Sequence, residues 1–145
     1  MLATVQKVSS AEIAIDGEIF TSINNGCLIF VCVEKDDMSH NINDMVNKLV
    51  NFRMLDGPKG ITSSPLNNSG KEVLIVSQFT LAAITNKGNK PSFHKAAEPD
   101  NAKLMYDEFV REFKKSFPNV KEGKFGAFME ISLTNIGPVT FNFKT

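Results

Sequence analysis

The chain has 145 residues, the size of one ordinary domain, and 42% of them are apolar, which supplies one hydrophobic core and excludes a disordered chain. Sixteen basic and sixteen acidic side chains cancel to a formal net charge of zero, which argues against a protein that grips long duplexes through phosphates but leaves room for local contacts to the single-stranded end of an RNA. The longest apolar run, Cys27–Val33, has the length of a buried strand and falls far short of the ~20 residues that a membrane helix needs.

In chain order, Met1–Ser9 alternates as a strand. Glu12–Ile15 and Glu18–Ile23 flank Asp16-Gly17, a strong hairpin signal. Asn24-Asn25-Gly26 turns the chain into the buried strand Cys27–Val33. Cys27 and Cys32 lie an odd number of residues apart, so on a strand they face opposite sides and do not pair. Asp36-Asp37-Met38-Ser39 offers helix caps, and Ile42, Met45, Val46, Leu49 and Val50 recur at helical spacing, which predicts an amphipathic helix over 39–51. Arg53–Leu55 reads as a short strand, and Asp56–Gly70, rich in Gly, Pro, Ser and Asn, as a loop.

Glu72–Val76 is a second buried strand, ending in the polar segment Ser77-Gln78-Phe79-Thr80-Leu81. Residues 82–98, with Lys87–Phe93 among them, read as irregular. Pro99-Asp100 opens a second helix with Asp100 as its cap; its inner face is Ala102, Met105, Tyr106, Phe109, Phe113 and Phe117, and Pro118 ends it. Met129, Ile131 and Leu133 alternate in a further strand. Gly137-Pro138 interrupts it, and Val139, Phe141 and Phe143 alternate in the last. The sum is one α+β domain over residues 1–145, strand-rich, with an antiparallel or mixed, barrel-like sheet covered by two helices.

The usual hydrolase signatures are missing. His40 and His94 stand in no catalytic motif, and no Gly-x-Ser-x-Gly elbow, phosphate loop or His-Glu-x-x-His is present. No cysteine and histidine cluster offers metal ligands. Two segments carry chemistry instead. In Ser77–Leu81 a buried strand turns polar where it ends, and Ser77 and Thr80 are placed to orient water or a carbonyl; a plain strand exit is the bland alternative. In Asn135–Thr140 the Gly137-Pro138 pair removes a backbone donor and permits unusual angles; a bulge or strand break is the alternative there.

Together these segments resemble the signature pair of the D-aminoacyl-tRNA deacylase family. Val5–Ala11, Val50–Arg53, Pro91–Phe93 and Phe125–Met129 are similar to the same family, so the resemblance covers essentially the whole chain. One departure is Ala82-Ala83, where many relatives carry an aromatic residue and glycine.

The resemblance implies a homodimer in which a cis Gly137-Pro138 pair of one subunit reaches into the active site of the other. It implies Ser77 and Thr80 as the catalytic positions, with Gln78, Phe79 and Leu81 walling the scissile ester. Phe125 and Met129, with Ala102, would receive the terminal adenine. The substrate would be the 3′ end of a D-aminoacyl-tRNA, with glycyl-tRNA also accepted and L-aminoacyl-tRNA rejected. The RNA 2′-hydroxyl would assist the water, with Thr80 in a structural or water-orienting role and backbone N–H groups of Phe79–Leu81 at the oxyanion. No cofactor, metal, DNA or membrane is expected. Met1–Lys7 lacks the basic start and apolar stretch of a secretory leader, so a cytoplasmic protein is expected. A non-catalytic tRNA-end binding module and a cofactor-free esterase of small esters are the alternatives.

Overall fold

The strand β1, Leu2–Ile15, organises the molecule because three strands share its two edges. One edge pairs antiparallel with β3 (Gly26–Cys32) over Leu2–Val8, then with β2 (Glu18–Ile23) over Ala11–Ile15. The other edge pairs antiparallel with β8 (Glu130–Lys144), from Leu2 opposite Lys144 to Ala14 opposite Glu130. β3 then pairs in parallel with β6 (Glu72–Ser77), and β6 with the short β7 (Val120–Glu122). The order is β2-β1-β3-β6-β7 with β8 beside β1, a mixed sheet that curls into a nearly closed, barrel-like form. This computed structural model describes residues 1–86 and 88–145, so Lys87, in the stretch read as irregular, lies outside the described residues.

Alternation divides the core in two. Ala3, Val5, Cys27, Ile29, Val31, Val73 and Ile75 face the helices α1 (Ser39–Asn51) and α2 (Pro99–Ser116). Val8, Ala11, Ile13, Leu28, Leu74 and Val76 face the inside of the curled sheet. Phe109 and Phe113 of α2 are fully buried in the larger cluster, each contributing about 1.5–3 kcal/mol of apolar burial. Cys27 belongs to the helix-side cluster and Cys32 has the opposite parity, as the odd spacing requires; both are free thiols. At Gly26 the backbones of β3 and β6 approach so closely that a Cβ would lie 1.8 Å from the Glu72 carbonyl oxygen.

The structure corrects the sequence reading in several places. Met1–Ser9 and Glu12–Ile15 belong to one continuous strand. Part of the expected loop Asp56–Gly70 is a strand: β5 (Gly60–Pro65) pairs with β4 (Arg53–Gly57) in a separate hairpin, around a turn in which Gly60 has φ +109°. Val120–Glu122 escapes a search for alternation because it carries a single apolar residue. Gly137-Pro138 does not end a strand; β8 runs through it, with register shifts opposite Gln6–Ser10. Asp100 is not a cap. Glu98 occupies that position in extended conformation and Pro99 opens α2, where its missing N–H costs nothing. Asp37 does not cap α1 either: it accepts the Glu34 N–H at 2.7 Å and the Met1 ammonium at 2.5 Å. Met38 takes the cap position, its N–H donating to Asn41 Oδ1 at 2.9 Å.

Candidate functional site

The central strand β6 delivers the first segment. Val73–Val76 are buried on both faces, and the strand ends where the Gln78 N–H donates to the Val31 carbonyl at 2.7 Å. Phe79–Ala82 then winds into a single 3-10 turn. Its hydrogen bonds use the Leu81 N–H, which donates to Gln78 O at 3.3 Å, and the Ala83 N–H, which donates to Thr80 O at 3.0 Å. The Phe79 and Thr80 N–H groups open the turn and, among the described residues, have no backbone acceptor, as the first donors of any helical turn must. Two adjacent donors at the end of β6 are therefore left without a backbone partner among the described residues, and the Leu81 N–H, expected to join them, is spent inside the turn.

The side chains around these donors are not arranged for nucleophilic attack. Ser77 is half-buried and Thr80 exposed. Gln78 Nε2 donates to Thr80 Oγ1 at 2.5 Å, and among the described residues no histidine or carboxylate bonds either hydroxyl. An activated serine or threonine needs such a base within hydrogen-bond reach. Beneath the turn, Cys32 Sγ lies 3.6 Å from the Phe79 carbonyl oxygen. Burial pushes its thiol up to about 11 despite the Ala82 N–H aimed at it, so at neutral pH it is an inert thiol. His40 and His94 are exposed, and among the described residues no group of three histidine, cysteine or acidic side chains is placed to hold a metal ion.

Aromatic rings flank the turn. The exposed Phe79 meets Phe93 edge to face, with ring centroids 5.1 Å apart. Leu81 is half-buried in the same turn. In the sequence Phe93 stands out only within Pro91–Phe93, and its contact with a residue fourteen positions earlier has no signal there. Phe125 packs 5.6 Å from Tyr106, and both they and Ala102 belong to the helix-side cluster. Tyr106 donates its hydroxyl to the Ile75 carbonyl at 3.1 Å, and burial raises its pKa above the ordinary phenol. Met129 instead packs against the cluster inside the curled sheet. Of the residues expected at an adenine pocket, Phe125 and Ala102 thus lie on the helix side of the sheet and Met129 on its inner side.

Gly137 and Pro138 are exposed on β8, and the peptide between them is cis. Gly137 has φ +114°, and a Cβ there would meet Val139 Cγ2 at 2.8 Å, so this position demands glycine twice over. Thr140 Oγ1 donates to Gln6 Oε1 just beyond the pair. Within one chain the pair does not reach the Ser77–Leu81 segment. Ser77 aligns with Val31, then Ala3, then Phe143, while Gly137-Pro138 lies between the rows of Val8 and Gln6. Three strand spacings of about 4.8 Å and several residues of register separate them along the sheet.

The comparisons with known proteins converge on one group. The D-Tyr-tRNA(Tyr) deacylase family model matches residues 4–144. A D-aminoacyl-tRNA deacylase of Francisella tularensis subsp. novicida (strain U112) is 42% identical over 144 residues, covering 99% of each chain. One of Escherichia coli O1:K1 / APEC is 40% identical over 141 residues and covers 97% of each. A solved structure described as a c-Myc DNA unwinding element binding protein superposes with TM-score 0.95 at 34% identity, over 100% of this chain and 99% of that one. A probable eukaryotic D-amino acid tRNA deacylase superposes with TM-score 0.86 at 15% identity, over 98% and 97% of the two chains, and shares the fold. The protein is an enzyme of the class that hydrolyses carboxylic ester bonds. The chain belongs to the D-Tyr-tRNA(Tyr) deacylase family.

Proposed function

We propose that this protein hydrolyses the ester of D-aminoacyl-tRNA, and of glycyl-tRNA, by holding the substrate rather than by attacking it. The observation that carries the reading is the pair of N–H groups at Phe79 and Thr80 that have no backbone partner among the described residues, beside hydroxyls that no base among those residues activates. Such donors stabilise the oxyanion that forms on the ester carbonyl, a contribution of about 3–4 kcal/mol for one well-placed donor. Water adds its oxygen to the carbonyl carbon. The bond to the ribose 3′-oxygen breaks, and that oxygen leaves protonated, giving free amino acid and tRNA. The neighbouring 2′-hydroxyl of the substrate activates the water, so the protein's own share is orientation. Ser77, Gln78, Phe79 and Leu81 wall the ester, Thr80 orients water, and Phe125, Ala102 and Met129 receive the terminal adenine.

Chirality is judged by a second copy of the chain. The active form is a homodimer in which the partner's Gly137 and Pro138 crowd one side of the substrate α-carbon. Support comes from their exposure and from their distance, along the sheet, from the turn of their own chain. An L side chain would clash with their carbonyls, a D side chain points to solvent, and glycine has nothing to exclude. The enzyme needs no metal or cofactor and works on tRNA in the cytoplasm.

A substrate ending in 2′-deoxyadenosine tests the chemistry. Hydrolysis is expected to slow by a factor of 100 or so relative to the ribo form, while Thr80→Ala keeps measurable turnover. Equal rates on both substrates, or complete loss in a folded, tRNA-binding Thr80→Ala, would transfer the chemistry to the protein.

A further inference from the structure

Next to the site lies a depression of about 490 Å³, within the size range of small-ligand sites. Two pieces of chain run antiparallel along its wall, joined by the Glu34–Ala96 bridge and by the Lys35 N–H donating to the Lys95 carbonyl at 2.9 Å. This backbone bond sets Lys35 and Lys95 side by side, and both line the depression with His94. The imidazole is oriented by its neighbour, with Nδ1 2.8 Å from Ser92 Oγ, which leaves Nε2 free. The residue before His94 is Phe93, whose ring meets Phe79 at the reactive turn.

Charge is distributed unevenly over this neutral chain. Most of the cations on α2 and its surroundings are paired: Lys103 with Asp107, Lys114 with Glu122, Lys115 and Arg111 with Glu112. Lys7 and Lys121 are paired with Asp56 and Glu72. Lys35 and Lys95 form no ion pair among the described residues. Glu34, Asp36 and Asp37 line the same depression; Asp37 is neutralised by the Met1 ammonium and Glu34 by that ammonium and Lys144, which leaves Asp36 facing the two lysines among the described residues.

We infer that the Phe79–Phe93 rings and the Lys35–His94–Lys95 wall form a track for single-stranded RNA, which holds the nucleotides preceding the reactive terminal adenosine. Exposed aromatic rings for bases beside cations for phosphates are the two components of single-strand binding. In a chain of zero net charge, such local cations supply attraction for phosphate beside the place where the 3′ end must be led in. This inference rests on the deacylase reading and adds the part of the substrate that contacts the enzyme outside the ester and the last base.

The test compares two substrates, a D-aminoacyl-tRNA and the same D-amino acid esterified to adenosine alone, which has no phosphates. Wild type should favour the tRNA in KM by more than tenfold. The double variant Lys35→Gln/Lys95→Gln should lose most of that preference, and its log KM for tRNA should vary less steeply with log salt, by about 0.7 for each phosphate contact removed. Phe93→Leu should reduce the preference without altering the salt slope. Lys48→Gln, on α1, should keep both. A double variant that keeps the wild-type preference and salt slope overturns the track and leaves the deacylase reading standing. A wild-type protein inactive on both substrates overturns that reading and the track with it.

Discussion

The Cys32 sulfur lies 3.6 Å from the carbonyl oxygen of Phe79, directly under the turn that presents the two free N–H donors. A thiol here invites assignment as a nucleophile, but burial holds it protonated, with its pKa pushed up to about 11. Only the thiolate reacts, so native Cys32 should resist iodoacetamide at pH 7.5 and label only on unfolding. Activity should survive the treatment. Rapid labelling of native Cys32 with parallel loss of turnover would make it a participant in the chemistry.

Gly137→Ala should lower both stability and activity, for separable reasons. A Cβ would sit 2.8 Å from Val139 Cγ2 and 3.1 Å from the Val139 nitrogen, at φ +114°. Strain of that kind costs about 1–3 kcal/mol, which the long pairing of β8 with β1 tolerates. The chain should therefore fold and melt earlier. Displacing the pair by about 1 Å should also cost on the order of 100-fold in turnover of D-aminoacyl-tRNA, measured well below the melting point. A variant that melts earlier yet turns over normally would show that the pair is structural and that chirality is read elsewhere.

Alkaline pH gives a test of the core. Burial raises the Cys27 thiol from 9.0 to about 12, with Lys7 and Lys71 opposing the rise. The unfolded chain loses this proton near pH 9.0 and the folded chain holds it to about 12, so the contribution is whole below pH 9 and is lost as pH rises toward 12. Cys27→Ala should be less stable at pH 7 by about 1 kcal/mol, from lost burial. Above pH 9 its stability should fall less steeply than that of wild type in urea titrations. Parallel curves for the two proteins would show that the thiol is not held protonated by the fold.

Local rules made much of this legible in the sequence, and the failures have local causes too. The period-2 runs, the Asp16-Gly17 turn and the helical spacing of Ile42–Val50 place most elements, because each residue there declares one face. The β4–β5 hairpin stayed hidden because Gly60–Pro65 has loop composition and is held by pairing with β4. β7 stayed hidden because Val120–Glu122 takes its strand geometry from the neighbouring β6. In the site, Ser77–Leu81 announced itself as polar residues closing an apolar run. The spending of the Leu81 N–H, the thiol of Cys32 and the ring of Phe93 did not, since each depends on contacts that only the folded turn creates.

The central claim is that the site reads the hand of the amino acid on tRNA without a metal. The most direct measurement is hydrolysis of matched D- and L-aminoacyl-tRNA by the purified protein, with a strong chelator present throughout. Turnover of the D form at least 100-fold faster than the L form, unaffected by the chelator, is the predicted result. Equal rates on the two forms, or activity that disappears with the chelator and returns with zinc, would contradict the account.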